Sequence, residues 1–275
     1  MSSALPAVTG LRRAYARHTR RAGGDWHARV SVAGEVAVRD DDERVIKGYS
    51  IQKLAVAVAL LDKADRGELG LGRRVRLEAS DVLGGSGLYH LQPVWGDELT
   101  AAGVVTALLL VSDNTAVRLC GRLVPAAEIN EILAAKGFVR TRVVPVDDPA
   151  RFMLGDTTAA ETHDLLARLA AGTLLGPDTS AFMLRVLRAA AGYHDGVRRD
   201  MSGAQRSRVA TKHGADHEGG RAARHEAGIV FTPDGTPAVV YSLFADGLGD
   251  AADYGPTHPA VRAHAALGRA MLKCC

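Results

Sequence analysis

The chain has 275 residues, of which 47% are hydrophobic and 24% are charged, and its mean hydropathy is close to zero. These values predict a soluble globular protein with one large core or two joined lobes. The formal net charge of +3 is too small to indicate a nucleic-acid partner, and no apolar run reaches the roughly 18 residues that suggest a membrane span.

The N-terminal segment predicts a helix near residues 5–22, followed by strands near 26–32 and 35–39 that turn at Ala33-Gly34. Arginines within 11–21 are interleaved with alanine and leucine, which is typical of a solvated helix face rather than a binding arm. The first residues lack the apolar core of a signal peptide. We therefore expect a cytoplasmic protein, or a secreted one if the N-terminus has been trimmed.

The first motif with chemical meaning is Ser50-Ile51-Gln52-Lys53, at the start of a helical stretch that covers 51–66 and stops at Gly67. Residues three apart lie on one helix face, so the Lys53 amine can reach the Ser50 hydroxyl and accept its proton. The helix N-terminus adds positive potential, which favours a developing oxyanion. Taken alone, this motif is more often a helix cap followed by a solvated lysine.

The second motif, Ser112-Asp113-Asn114, lies between an apolar run and a further helical stretch within residues 98–122. Taken alone, it is equally well explained as an Asx-type turn. In a catalytic site, Ser112 would relay a proton to the leaving group, and Asn114 would donate its amide to the substrate or to Lys53.

The last third of the chain returns to strands. A short strand at 208–211 leads to Lys212-His213-Gly214, and its edge can pair with an extended substrate and offer a backbone N–H to an oxyanion. The pattern from 50 to 204 is mainly helical. Further predicted elements are helices at 157–171, 178–191 and 258–273, and strands at 227–231 and 238–245 with a turn at Asp234-Gly235.

The three motifs in this order resemble those of class A β-lactamases and penicillin-binding proteins, and the chain is similar to the class A β-lactamase family over nearly all of its length. Other segments that carry the resemblance are GYSIQK at 48–53, GGSGL at 84–88, DELTAAGVVTALLLVSDNTA at 97–116 and GDTTA at 155–159. The resemblance implies an α+β fold of the β-lactamase/transpeptidase type, with an antiparallel sheet flanked by helices from both chain ends. Residues 1–49 and 205–275 would form this lobe, residues 50–204 would form an inserted all-α lobe, and the active site would lie in the cleft between them.

The resemblance also implies roles for individual residues. Ser50 would be the acylated nucleophile and Lys53 its base, while Ser112 and Lys212 would complete the proton network. The expected substrate-binding residues are Asn114, His213, Gly214 and Ala215. The last of these matches the position that shares the oxyanion hole with the Ser50 N–H.

The stretch before GDTTA departs from the family pattern. Members that hydrolyse β-lactams carry a glutamate there, in a Glu-x-x-Leu-Asn motif, and it positions the deacylating water. Residues 141–158 contain no glutamate, and Asp147 falls about where that residue belongs, with Asp148 beside it. Asp147 is therefore the candidate base, with Asp148 and His213 as weaker substitutes, although an Asp-Asp-Pro triplet is more often a polar turn.

A second departure is His213, which stands where the family has a threonine or serine that contacts a substrate carboxylate. We expect the imidazole to face the cleft and take over that contact. Ala227 falls where the family has an arginine on the following strand. Four arginines are close enough in sequence to replace it, although all four also fit ordinary surface charge: Arg198, Arg199, Arg221 and Arg224.

The histidines of the last third do not predict a metal site. His213, His217 and His225 are interspersed with Asp216 and Glu218, but no His-Glu-x-x-His pattern is present, so a polar loop is expected and no cofactor or metal. The cysteines form neither a CxxC motif nor a disulfide framework: Cys120, Cys274 and Cys275.

The leading functional hypothesis is a serine hydrolase that cleaves a β-lactam or a related amide or ester through a covalent Ser50 adduct, with slow deacylation on ordinary β-lactams. The alternatives are a penicillin-binding-type D,D-peptidase, a cytoplasmic biosynthetic acyltransferase or amidase, and a non-catalytic member of the family. The last would only bind a ligand in the cleft between the two lobes. In each case we expect a monomer that binds a small or peptide-like molecule, with no nucleic-acid or membrane partner.

Overall fold

The computed structural model describes residues 4–189, 195–218, 221–249 and 255–275. The strands, in chain order, are β1 (Asp25–Val32), β2 (Glu35–Asp40), β3 (Ile46–Lys47), β4 (Arg74–Arg76), β5 (Glu98–Thr100), β6 (Arg142–Pro145), β7 (Phe152–Thr157), β8 (Val209–Glu218), β9 (Arg221–Phe231) and β10 (Pro237–Leu248). The helices are α1 (Ala4–Ala22), α2 (Gln52–Asp65), α3 (Ala101–Leu110), α4 (Asn114–Leu123), α5 (Ala126–Ala135), α6 (Ala159–Ala170), α7 (Pro177–Ala189), α8 (Gly203–Arg206) and α9 (Pro259–Leu272).

The main sheet has five strands in the order β2-β1-β10-β9-β8, and every neighbouring pair is antiparallel. Helices α1 and α9, from the two chain ends, pack against each other and against this sheet. Alternating residues of β10 enter different cores, since Tyr241 and Leu243 pack with α1 and α9, whereas Val240 and Phe244 pack with the core of the helical lobe. The predicted α+β fold, with an antiparallel sheet flanked by helices from both chain ends, is confirmed.

Helix α2 is the centre of the inserted lobe. Its residues from Gln52 to Leu61 are all buried, and the run 54–61 is apolar on every side, as expected for a helix that other helices surround. Helices α3, α4, α5 and α7 pack around it. This burial also removes Lys53, in its first turn, from solvent.

The segment 50–204 is mainly rather than purely helical. It contains the pair β4–β5 and the hairpin β6–β7, to which β3 adds an edge strand. Helix α6 of the same segment packs against β1, β9 and β10 of the main sheet. The division into an all-α segment 50–204 and a sheet lobe from both chain ends therefore stays an approximation.

Local signals explain where several elements begin and turn. Thr158 caps α6 by accepting from the Glu161 N–H, and His258 caps α9 directly before Pro259. The β9–β10 hairpin turns at Gly235, whose φ of +91° suits glycine. Strand β8 extends beyond the expected 208–211 to Glu218, because its polar second half still pairs with β9. Residues 190–191 of the expected helix 178–191 lie outside the described residues.

Within the described part of the chain, none of the helices combines the length and apolarity that a membrane crossing requires.

Candidate active site

Ser50 lies in a single 3-10 turn, Tyr49–Ile51, that runs directly into α2. The residue before it, Tyr49, has a φ of +43°, a left-handed conformation that disfavours residues other than glycine by roughly 1–3 kcal/mol. The Ile51 N–H donates to the Gly48 carbonyl over 3.0 Å, and the Gly48 N–H donates to the Gly155 carbonyl over 2.9 Å. These bonds fix the turn that presents Ser50.

Lys53 is fully buried one turn further on. Its Nζ donates to the Ser112 Oγ over 3.0 Å, to the Ser112 carbonyl over 2.5 Å and to the Asn114 Oδ1 over 2.8 Å. Burial lowers the pKa of Lys53 to about 7, against the opposing charge of Asp113. Near neutral pH a large fraction of Lys53 is therefore unprotonated and able to accept a proton.

The Ser112 hydroxyl joins two lysines. It accepts from the Lys53 Nζ and from the Lys212 Nζ, each over 3.0 Å, and Lys212 also donates to the His213 carbonyl over 2.7 Å. Burial and the nearby charge of Lys53 lower the pKa of Lys212 well below its usual value. Two lysines held against one hydroxyl form a connected path for proton movement.

The second motif is held by its own aspartate. Asp113 is fully buried and caps α4 by accepting from the Ala116 N–H, and its other oxygen accepts from the backbone N–H groups of Leu88 and Tyr89. The preceding Ser112 has a φ of +55°, so its backbone is strained where its side chain meets the lysines. The Asp113 contacts therefore hold the 83–91 loop and the strained serine together.

Asn114 uses both ends of its side-chain amide. Its Oδ1 accepts from Lys53, and its Nδ2 donates to the Gly84 carbonyl over 3.0 Å. Asn114 therefore contacts Lys53 as an acceptor and not as the expected amide donor, and its amide donates to the loop along the cavity instead.

Strand β8 approaches the Ser50 turn so closely that only glycine fits at the contact. A Cβ on Gly214 would lie 2.9 Å from the Ile51 nitrogen and 3.1 Å from the Gly48 carbonyl oxygen. Gly214 therefore sets the separation between the nucleophile turn and the strand that carries Lys212 and Ala215.

We expect Gly214→Ala to slow acylation of Ser50 at least tenfold, because a shift of about 1 Å between catalytic groups is sufficient for such a loss. The matched control is Gly203→Ala in α8, where an added Cβ has no atom within 4 Å and the acylation rate should not change. Pre-steady-state acylation and thermal unfolding are measured for both variants. An unchanged rate in Gly214→Ala would contradict the close approach.

A cavity of about 1030 Å³ opens between the two lobes. Its walls include seven of the residues that the sequence predicts for the site: Ser50, Ser112, Asn114, Lys212, His213, Gly214 and Ala215. Lys53 is buried behind them and reaches the cavity through Ser112. The structure thus brings together eight of the nine predicted residues.

The ninth, Asp147, is not brought to the cavity. Asp147 and Asp148 are exposed in the turn of the β6–β7 hairpin. Asp148 accepts from the Ala150 N–H over 2.9 Å and pairs with Arg151. The contacts of Asp148 are those of a polar turn around a proline, and Asp147 is not among the residues that line the cavity.

Hairpin β6–β7 occupies the position where the sequence suggests a remodelled loop, and its face toward the cavity is apolar. The side chains that line this wall are Val144, Phe152, Met153 and Leu154. Asp156, at the end of β7, also lines the cavity and is exposed. It is the carboxylate that this hairpin contributes to the cavity wall.

Of the candidate arginines, Arg224 lines the cavity and lies across β8–β9 from Ala215. Arg198 is buried, and its guanidinium donates to the backbone carbonyls of Leu187, Arg188 and Val209. Arg199 forms an ion pair with Asp195. The side chain of Arg221 lies outside the described residues. Ala227 pairs with Lys212.

A sequence model described as "Beta-lactamase enzyme family" matches residues 13–274. The chain belongs to the beta-lactamase enzyme family. No curated protein matches its sequence.

Solved structures, among them beta-lactamases, share the fold over nearly all of the chain. The beta-lactamase from Sphaerobacter thermophilus DSM 20745 superposes with a TM-score of 0.77 at 23% identity, covering 96% of each chain. TLA-3 extended-spectrum beta-lactamase gives a TM-score of 0.80 at 15% identity, covering 96% of this chain and 98% of that one. A point mutant of PBP-A, in an acyl-enzyme complex with penicillin G, gives a TM-score of 0.74 at 17% identity, covering 95% of this chain and 96% of that one.

The sequence assigns no role to two acidic residues near this beta-lactamase-family site. Asp156 belongs to the GDTTA segment, but only the course of β7 shows that it lines the cavity. Glu226 follows a histidine in a polar stretch, and it lies opposite His213 only through the register of β8 and β9. A sequence-based prediction that the strand at His213 pairs with the strand at Glu226 would have pointed to Glu226.

The histidines do not share a ligand site. His225 is buried, its Nε2 lies 3.1 Å from the Lys47 carbonyl oxygen, and its Nδ1 accepts from the Ala245 N–H over 3.2 Å. His213 lies on the cavity wall with its Nε2 3.3 Å from Glu226, and His217 is exposed. Across the described residues, no group of three potential ligands converges as a metal site.

Proposed function

We propose that this chain is a serine acyl-enzyme hydrolase that attacks the carbonyl of a β-lactam or a related amide or ester through Ser50. The observation that carries the proposal is the Ser112 hydroxyl held between the Lys53 and Lys212 amines on the cavity wall that also carries Ser50. An ordinary capped helix would leave its lysine in solvent, whereas Lys53 is fully buried among acceptors.

The proposed acylation step uses these residues. Unprotonated Lys53 takes the proton of the Ser50 hydroxyl as its oxygen attacks the carbonyl carbon, and the backbone N–H groups of Ser50 and Ala215 stabilise the oxyanion. The proton passes from Lys53 through Ser112, 3.0 Å away, to the leaving nitrogen or oxygen. The bond to the leaving group then breaks, which leaves the acyl group on Ser50.

Deacylation is expected to be slow on ordinary β-lactams. It needs a water molecule and a base near the ester carbonyl, and the hairpin wall contributes Val144, Phe152 and Leu154 with Asp156 at its edge. An apolar surface neither orients nor activates water. Asp156 is the hairpin carboxylate on the cavity wall that could assist, whereas Asp147 is not among the residues that line the cavity.

The same wall favours a second candidate function. An acyl-enzyme protected from water can pass its acyl group to an amine or peptide instead, as in a D,D-peptidase or a biosynthetic acyltransferase. The PBP-A relative at 17% identity is described as an acyl-enzyme complex with penicillin G, which is consistent with either outcome for the covalent intermediate.

An intact-mass time course tests this proposal. The protein is mixed with penicillin G, a cephalosporin or an activated ester, and the expected result is a mass increase equal to one acyl group that decays slowly. Faster decay on addition of an amine acceptor favours the acyltransferase. No adduct with any of the three compounds would favour a non-catalytic ligand-binding protein.

A further inference from the structure

The two terminal helices carry a set of exposed cations that acylation does not use. Neither α1 nor α9 contains an aspartate or a glutamate, and the two helices pack against each other on one side of the main sheet. Together these cations number more than twice the net charge of the whole chain. We call them the basic face: Arg13, Arg17, Arg20 and Arg21 of α1, with Arg262, Arg269 and Lys273 of α9 and its C-terminal cap.

Helical periodicity places the α1 arginines of the basic face on the side away from the sheet. With 3.6 residues per turn, the four fall within an arc of roughly 100°. The buried side chains of Leu11, Tyr15 and Thr19 lie on the opposite side of the helix. Arg12 lies between the two arcs, and its guanidinium donates to the Ala37 carbonyl over 2.6 Å. It is therefore not part of the basic face.

The cations of α9 form a narrow stripe. Arg262, Arg269 and Lys273 are spaced by seven and four residues, so they fall within an arc of roughly 40°. Much of the remaining surface of this helix is buried against α1 and the sheet. Arg269 donates to the Gln205 Oε1 over 3.3 Å, which is a neutral acceptor and leaves the positive charge uncompensated.

The basic face keeps most of its charge. In the part of the chain that the structure describes, none of its cations forms an ion pair. His18 lies between two of them, and burial together with the charges of Arg17 and Arg21 lowers its pKa, as a positive local potential requires. Arg20 lines a polar pocket with several aspartates, so its charge is partly balanced. The remaining six cations form the centre of the face.

The chemistry of this face fits a planar array of phosphates. Arginine binds phosphate oxygens through two parallel N–H donors. Among the described residues, none of the exposed large apolar side chains belongs to α1 or α9. The face therefore offers neither an aromatic platform for single-stranded bases nor an apolar wedge for a bilayer interior. Two helices packed side by side also differ from the single projecting helix that enters a duplex groove.

We propose that the basic face docks the protein on an anionic phospholipid surface through contacts of its arginines with lipid phosphates, without insertion into the bilayer. The helical lobe packs on the other side of the main sheet, so docking leaves the cavity between the lobes uncovered. Residues 11–21 alone predict a solvated helix face and no membrane partner, and the stripe of α9 joins them only in the fold. The inference does not depend on acylation of Ser50.

Cosedimentation with sucrose-loaded vesicles tests the docking. The wild-type protein is mixed with vesicles of equal parts phosphatidylglycerol and phosphatidylcholine, or of phosphatidylcholine alone, in low and in high salt. We expect binding to the mixed vesicles in low salt. It should be at least about tenfold weaker in high salt or without phosphatidylglycerol, because the attraction to an anionic surface is electrostatic and screened by salt.

Two double variants each remove two charges from the basic face: Arg13→Gln with Arg17→Gln, and Arg262→Gln with Lys273→Gln. Each cation near an anionic lipid surface strengthens binding roughly fivefold. Each double variant should therefore bind the mixed vesicles at least about tenfold more weakly than wild type. All four side chains are exposed, so the thermal unfolding midpoint should not change.

The matched control is Arg73→Gln with Arg185→Gln, which removes two exposed charges from the inserted lobe and should keep wild-type binding. An equal loss in this control, or unchanged binding in either face variant, would overturn the inference. The same holds if wild type ignores the mixed vesicles in low salt or binds phosphatidylcholine alone equally well. Tighter binding to a duplex DNA oligonucleotide than to the mixed vesicles would make nucleic acid the partner and overturn the assignment to lipid.

Discussion

Lys53→Ala is expected to slow acylation of Ser50 by roughly 10²–10⁴-fold, the usual effect of losing a general base. The buried amine contacts Ser112 and Asn114, so no other described group takes its place between them. The matched control is Lys63→Ala in the same helix, where the side chain pairs with Glu68 and Glu128 and should not affect acylation. The measurement is the pre-steady-state rate of adduct formation.

The pH dependence of that rate follows from the sign of the Lys53 shift. Burial lowers its pKa to about 7, and only the unprotonated amine accepts the Ser50 proton. The acylation rate of wild type should therefore rise as the pH increases through about 7 and then level off. A rate that falls across the same range would mean that protonated Lys53, or another acid, is the required form.

The second large effect concerns the fate of the adduct. With an ordinary penicillin, we expect a burst of product equal to the enzyme concentration, followed by slow turnover. Each loss of about 1.36 kcal/mol in water activation slows hydrolysis about tenfold, and the apolar hairpin wall with Phe152 and Leu154 offers little activation. Stopped-flow absorbance with enzyme in the micromolar range reads both phases.

Two substitutions separate the candidate carboxylates for this slow phase. Asp156→Asn should reduce the slow phase without changing the burst, since Asp156 lines the cavity. Asp147→Asn, on the exposed turn, should change neither phase and serves as the control. Fast steady-state hydrolysis without a burst would show that a competent base lies elsewhere in the site.

The sequence predicts most of the fold because the segments with periodic apolar residues are long. Helices α1, α2 and α9 and the hairpin of β1 and β2 follow apolar spacing and turn residues, which are local signals. The three short motifs also predict that Ser50, Ser112 and Lys212 lie together, and these residues line one cavity in the structure. The strained φ values at Tyr49 and Ser112 carry no such signal.

The residues that the sequence misplaces or omits depend on contacts far apart in the chain. Asp147 is a candidate only by counting along an irregular loop, and the structure places it on the exposed turn between β6 and β7. Glu226 lies opposite His213 because of the register of β8 and β9, and the Arg198 guanidinium donates to a backbone carbonyl. No pattern within a short window predicts such pairings.

Peptide mapping of the penicillin G adduct tests most directly whether Ser50 is the nucleophile. The protein is labelled, digested and sequenced by tandem mass spectrometry, beside a Ser50→Ala variant with the same thermal stability. We expect the acyl group on Ser50 of wild type and no adduct on the variant. Labelling that survives in Ser50→Ala, or an adduct on another residue of wild type, would contradict the assignment of this site.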